Sequence, residues 1–195
     1  MNKIALGFQI LAYRLTHYRL RDTLWWALDH LVRRISGAPI RALSQIRPYL
    51  HVGGQYRARG WPKLVARGVT AVVNMRVEFD DRQAGLAPEQ YLYLPTIDDT
   101  APSLEQLQQG VAFIHRQIDA GGSVYVHCGA GVGRAATMAA AFFVSAGMAP
   151  AQAWQTIRAV RPFIKPTAEQ LAQIERFAGT SRASFPAEAA GLPDR

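Results

Sequence analysis

Cys128 is the only cysteine of this 195-residue chain, and Arg134 follows it across five residues in the run His127-Cys128-Gly129-Ala130-Gly131-Val132-Gly133-Arg134. A cysteine thiolate is a strong nucleophile. Arginine offers a planar, two-pronged donor that matches two oxygens of a phosphate. Gly129, Gly131 and Gly133 let the intervening chain curl until successive backbone N–H groups point at one oxyanion. Val124-Tyr125-Val126 reads as a strand leading in, and Ala135 through Ala141 as a helix leading out. The cysteine then sits at a strand-to-helix turn, where helix-terminal N–H groups and the helix dipole favour an anion. Nucleophile, anion cradle and clamp together describe phosphoryl transfer onto sulfur. A bare Cys-x5-Arg spacing would fit equally well a buried cysteine beside a glycine turn, with the arginine in solvent. The preceding histidine, the three glycines and the strand–loop–helix context favour the chemistry.

This signature resembles the active-site loop of cysteine-dependent protein tyrosine and dual-specificity phosphatases. Tyr91 through Phe177 follows the dual-specificity layout of acid loop, helix, nucleophile strand, phosphate loop and closing helices. Within it, Leu94-Pro95-Thr96-Ile97-Asp98-Asp99-Thr100-Ala101-Pro102-Ser103-Leu104, Arg161-Pro162-Phe163-Ile164-Lys165-Pro166 and Gln170-Leu171 look most like the phosphatidylglycerophosphate phosphatase branch and its bacterial relatives. The resemblance covers about residues 46–178.

It implies Cys128 as nucleophile and residues 129–134 as phosphate loop. A second proton-handling group is needed, because the leaving oxygen must be protonated when sulfur attacks phosphorus. The resemblance gives that part to Asp98, with Asp99 as the alternative; either could instead be a solvated or helix-capping carboxylate. The same residue would then activate water against the cysteinyl-phosphate. His127 would orient loop groups. Glu78, in Glu78-Phe79-Asp80-Asp81-Arg82, looks like the acidic loop that steadies the arginine in relatives, although such a run can also be merely solvated. Gln170 matches a position near the attacking water, or lies on a helix face. Position 135 departs from the pattern. Relatives usually carry Ser or Thr there, whose hydroxyl stabilises the departing thiolate, whereas Ala135 stands here, as in the phosphatases of regenerating liver. Hydrolysis of the cysteinyl-phosphate should therefore be slow.

The surrounding elements must hold this loop. Pro48–Gly54, Val69–Met75, Tyr91–Leu94 and the run into Cys128 read as strands. Trp61–Gly68, Ser103–Ile118, Ala135–Ala146, Pro150–Val160 and Thr167–Phe177 read as helices. Ser103 is placed to cap the second of them. The alternation predicts an α/β fold with a central, mostly parallel sheet flanked by helices, an antiparallel edge at its start, and the reactive loop at the carboxyl end of a central strand. Three parts are expected: a helical segment over 1–45, a catalytic domain over 46–178 and a flexible Ala/Pro/Ser-rich tail over 179–195.

The formal charge of +8 is uneven, since residues 1–47 hold eight Lys/Arg against Asp22 and Asp29. Leu20, Leu24, Leu28, Leu31, Val32 and Ile35 recur at helical spacing with Trp25 beside them and arginines at both ends. Such a helix either packs its apolar stripe on the domain or lies at an anionic membrane surface. Ile4–Tyr13 is apolar but far shorter than the ~20 residues that span a bilayer. Positive charge interleaved with apolar residues makes no continuous basic face, so nucleic acid is not an expected partner. The expected partners are a phosphorylated protein or a phospholipid monoester, with peripheral membrane contact through 1–45. The loop interior carries no Lys or Arg, which disfavours a multiply phosphorylated inositide. One cysteine and no ligand spacing among five histidines predict no metal and no cofactor, and the lone thiol suits a reducing, cytoplasmic compartment.

Overall fold

The computed structural model describes residues 19–184. Its sheet has five strands: β1 (Gln45–Arg47), β2 (Leu50–Gly54), β3 (Val69–Arg76), β4 (Gln90–Thr96) and β5 (Ser123–Cys128). They lie in the order β1-β2-β5-β3-β4. β1 is the antiparallel edge and the other pairings are parallel, so the mostly parallel sheet expected from sequence is the one observed. β5 is the middle strand and every residue of it is buried, as a parallel strand covered on both faces requires. Its last residue, Cys128, pairs with Gly54 at the carboxyl end of β2.

Among the described residues there are six α-helices: α1 (Leu20–Ser36), α2 (Trp61–Val65), α3 (Leu104–Asp119), α4 (Arg134–Ser145), α5 (Pro150–Val160) and α6 (Ala168–Ser184). α4 leaves the cysteine loop and is buried on every face from Arg134 to Val144, which suits its largely apolar sequence. It packs on α3, α5, α6 and the sheet, and its alanines at 135, 136, 139, 140 and 141 let those neighbours approach closely. Ser103 caps α3 reciprocally: its hydroxyl accepts from Gln106 N at 3.0 Å, while the Gln106 side chain accepts from Ser103 N at 2.9 Å. Gln106 also donates to Pro95 O at 2.8 Å, which ties the end of β4 to the start of α3 and fixes both ends of the segment carrying Asp98.

Two expectations change. α6 runs to Ser184, so residues 179–184 are helical where a flexible tail was predicted; the rest of that tail lies outside the described residues. α1 forms as predicted, but of the two placements weighed for its apolar stripe, packing on the domain is not the one observed. Leu20, Leu24, Trp25, Leu28, Leu31 and Ile35 are between 41% and 67% exposed, while Thr23, Asp29 and Arg33 are buried against the domain. The docking face is polar because its partners are polar: Asp29 meets Arg161, and Arg33 donates to Gln55 O at 2.9 Å. The short apolar run Ile4–Tyr13 falls outside the described residues. Among the described residues no helix is long and apolar enough to cross a membrane.

Candidate active site

The loop from Gly129 to Gly133 is held by its carbonyls. Gly129 O accepts from Gln55 N at 3.1 Å and Val132 O from Lys165 N at 2.7 Å. Ala130 O and Gly131 O accept from Arg161 Nη2 and Nε at 2.8 and 2.6 Å. Gly133 O accepts from Thr137 N at 2.9 Å and from the Thr137 hydroxyl at 3.1 Å. In a trans peptide the following N–H points opposite to the carbonyl. Committing these five carbonyls outward therefore turns the N–H groups of residues 130–134 to the other side. Gly131 N–H already donates there, to Cys128 Sγ at 3.3 Å. Gly131 adopts φ +70°, and a Cβ on it would lie 2.2 Å from the backbone carbon of Gly53, so no other residue fits this turn without moving β2.

Arg134 opens α4 and is almost wholly buried. Its Nη1 donates to Thr96 O at 2.7 Å, and Glu78 grips both terminal nitrogens, Oε2 to Nη1 at 2.9 Å and Oε1 to Nη2 at 3.0 Å. Arg134 hydrogen bonds hold the Glu78 carboxyl down to about 2, with Arg76 assisting through Nε at 2.9 Å. Burial opposes the charge on Arg134, yet the Glu78 hydrogen bonds and the neighbouring Cys128 and Asp98 hold the guanidinium above its ordinary value. Arg134 Nε is buried with no protein partner among the described residues. A buried donor left unpaired is costly, and an oxyanion bound in the loop would supply the acceptor it lacks.

Asp98 forms an ion pair with Arg134 Nη2 at 2.8 Å while its side chain stays 75% exposed. Asp99 is exposed, has φ +61° and shapes the turn, a conformation that Asp and Asn tolerate better than most side chains. Of the two candidate acids, the fold brings Asp98 to the loop. Gln170 is fully buried rather than on an outer helix face. It donates to Thr100 O at 2.8 Å, and its amide would lie 3.0 Å from a Cβ on Gly133, so it joins the acid segment to the loop's end. His127 Nε2 and Asp81 Oδ2 are 2.7 Å apart and both side chains are inaccessible.

Sequence reasoning overlooked several of these partners. The acidic run after β3 divides its labour, Glu78 turning to Arg134 and Asp81 to His127. Gln55 links them, donating to Asp81 Oδ1 at 2.7 Å and accepting from Arg76 Nη1 at 2.9 Å. Arg161, quoted only for its likeness to relatives, is the donor behind the loop. The available signal for α1 was Asp29 and Arg33, four residues apart on the face opposite the apolar stripe.

The family description "Polymorphic toxin system, DSP-PTPase phosphatase" matches residues 53–148, from the end of β2 through α4. Mouse dual specificity protein phosphatase 14 is 31% identical over 136 residues, which cover 69% of this chain and 68% of that protein. The chain belongs to the dual-specificity phosphatase family. Another relative is the Arabidopsis thaliana phosphatidylglycerophosphate phosphatase PTPMT2, 27% identical over 88% of this chain and 71% of its own length. Among solved structures, PTPMT1 in complex with PI(5)P superposes with a TM-score of 0.66 at 28% identity, covering 71% of this chain and 96% of that one. These matches place the dual-specificity phosphatase fold near the phosphatidylglycerophosphate phosphatase branch. The chain spans only 42% of the length of other curated relatives, such as mouse dual specificity protein phosphatase 1.

Proposed function

We propose that this dual-specificity phosphatase hydrolyses phosphomonoesters through a cysteinyl-phosphate on Cys128. The observation that carries the reading is the meeting of Cys128, the unpartnered Arg134 Nε and Asp98 at one loop. Cys128 Sγ attacks phosphorus, an S–P bond forms and the P–O bond to the leaving group breaks. Asp98 in its acid form gives the leaving oxygen its proton. In the second step a water oxygen attacks phosphorus, Asp98 takes its proton, and the S–P electrons return to Cys128. Inorganic phosphate leaves. Loop N–H groups and Arg134 stabilise the charge on the transferring oxygens throughout. A thiolate nucleophile needs a reducing compartment, and the cytoplasm is our assignment.

Ala135 should make the second step slow. Thr137, the nearest hydroxyl on α4, is spent on Gly133 O. A hydrogen bond to a charged group is worth ~1.5–3 kcal/mol, roughly one to two decades in rate. A burst of p-nitrophenol equal to the enzyme, then a slow steady state, is expected from p-nitrophenyl phosphate. Ala135→Ser should raise the steady-state rate by about ten- to a hundredfold. No burst, and no gain from the serine, would mean that hydrolysis of the intermediate does not limit turnover.

A second reading concerns the substrate: a phospholipid monoester at a membrane surface rather than a phosphoprotein. It is favoured by the exposed apolar face of α1, bordered by the exposed Arg19, Arg21 and Arg34, which suits an anionic lipid surface. The likeness to PTPMT2 points the same way, and the neutral loop interior fits a single phosphate. The deciding experiment compares phosphopeptides with phosphatidylglycerophosphate in vesicles, using wild type and Leu24→Ser/Leu28→Ser/Leu31→Ser. The lipid reading predicts a rate on vesicles above that on peptides, falling with the triple substitution. Faster peptide hydrolysis, with vesicles indifferent to the leucines, selects the phosphoprotein reading.

A further inference from the structure

The carbonyls of Ala130 and Gly131 both depend on one guanidinium. Arg161 is 0% exposed and spends its other nitrogen, Nη1, on Leu43 O at 2.8 Å, with its Cζ 4.4 Å from the centre of the Phe163 ring. Carbonyls satisfy donors but do not neutralise charge, and a buried cation without a counter-charge is costly. The one carboxylate that the described residues pair with it is Asp29 of α1, Oδ2 to Nη2 at 3.3 Å. Asp29 is itself 2% exposed, and its Oδ1 accepts from Ile40 N at 3.0 Å, so its position is fixed by the turn that leaves α1. One helical turn on, Arg33 holds Gln55 O while Gln55 N holds Gly129 O. A Cβ on Gly54 would lie 2.6 Å from Arg33 Cζ and 2.8 Å from Gly129 O, so helix, strand and loop touch there. α1 lies outside the matched residues 53–148, yet it braces three consecutive residues of the loop.

We infer that Asp29 is a positioning residue for the phosphate loop, acting through Arg161 to keep the loop N–H groups aimed at a bound oxyanion. The inference rests on the proposed reading of the loop as an oxyanion cradle. Without its counter-charge, Arg161 draws water or shifts towards solvent, the carbonyls of Ala130 and Gly131 lose their donors, and the peptide planes behind the cradle are free to turn.

Vanadate, which mimics the five-coordinate phosphoryl group, is the probe, read as competitive inhibition of p-nitrophenyl phosphate hydrolysis. Asp29→Asn keeps the shape and the acceptor for Ile40 N but removes the charge. It should weaken vanadate binding by about tenfold, within the coupling found inside one hydrogen-bonded network, and lower kcat/KM in step. In an Arg161→Gln background the same substitution should change vanadate binding by less than about twofold, because the path is already cut. Val69→Ala, at the opposite end of the sheet, reports loss of stability alone and should leave vanadate affinity in place while lowering Tm. Should Asp29→Asn not fold, Asp29→Ser, which also removes the charge facing Arg161, takes its place with the same expectation. Unchanged vanadate affinity, an equal loss in both backgrounds, or an equal loss in Val69→Ala would overturn the role of Asp29. Wild-type protein indifferent to vanadate would overturn the cradle reading itself.

Discussion

Cys128→Ser is expected to bring hydrolysis of p-nitrophenyl phosphate down to background, a fall of roughly 10⁴-fold or more, the scale on which removal of a nucleophile acts. A serine hydroxyl does not ionise near neutrality, and the loop offers it no base: the donors around Sγ, Gly131 N–H among them, stabilise an anion but take no proton. The cradle itself is untouched, since its carbonyls are held by Gln55, Arg161, Lys165 and Thr137 rather than by sulfur. The variant should therefore still bind inorganic phosphate or vanadate, measured by calorimetry, while forming no covalent phosphoenzyme by mass spectrometry. Hydrolysis within about tenfold of wild type would sink covalent catalysis at this residue. Binding by a wild type that is equally inactive would instead describe a phosphate-binding module.

Asp98→Asn should cost about 10²–10⁴-fold, the usual contribution of a positioned general acid, on an ester whose leaving group is a poor one, such as an alkyl phosphate. The loss should shrink for p-nitrophenyl phosphate, whose leaving oxygen needs little protonation. Asparagine preserves an oxygen that can accept from Arg134 Nη2, so loss of the ion pair alone leaves the clamp in place. Asp99→Asn is the natural control: asparagine tolerates the positive φ there, and among the described residues Asp99 makes no hydrogen bond or ion pair with the loop. A larger loss in Asp99→Asn would move the acid by one residue. Equal rates for both variants and wild type on the alkyl ester would remove the acid from the segment.

What could be read from sequence was what depends on near neighbours. β5, the glycine turn and α4 are contiguous, so the strand-to-helix geometry around Cys128 was visible in a single run of residues. The cap of α3 was equally local, because Ser103 and Gln106 are one turn apart. Glu78 and Asp98 could be nominated only through the likeness to relatives, since nothing in their own neighbourhood says that Arg134 will arrive between them. Partners joined across the fold left no trace: Asp29 and Arg161 lie 132 residues apart. The inverted docking of α1 shows why. Periodicity separates two faces of a helix but does not say which one the domain will bury, and the apolar face is the ordinary choice. Here two charged side chains with exact counterparts on the domain reversed it. At the other end, the Ala/Pro/Ser-rich composition from Thr180 suggested a loose tail, whereas α6 continues to Ser184, because extending a helix already nucleated costs far less than starting one.

The clasp of Asp29 on Arg161 also bears on the order in which this molecule is built. A contact across 132 residues carries a large closure entropy and belongs with the late events of folding. β2, β3 and β5 with α4 can assemble from the middle of the chain, but the loop they carry is held on every side only once the first described helix meets a residue beyond α5. On the proposed role of Asp29, full affinity for an oxyanion belongs to the completed fold rather than to the core alone.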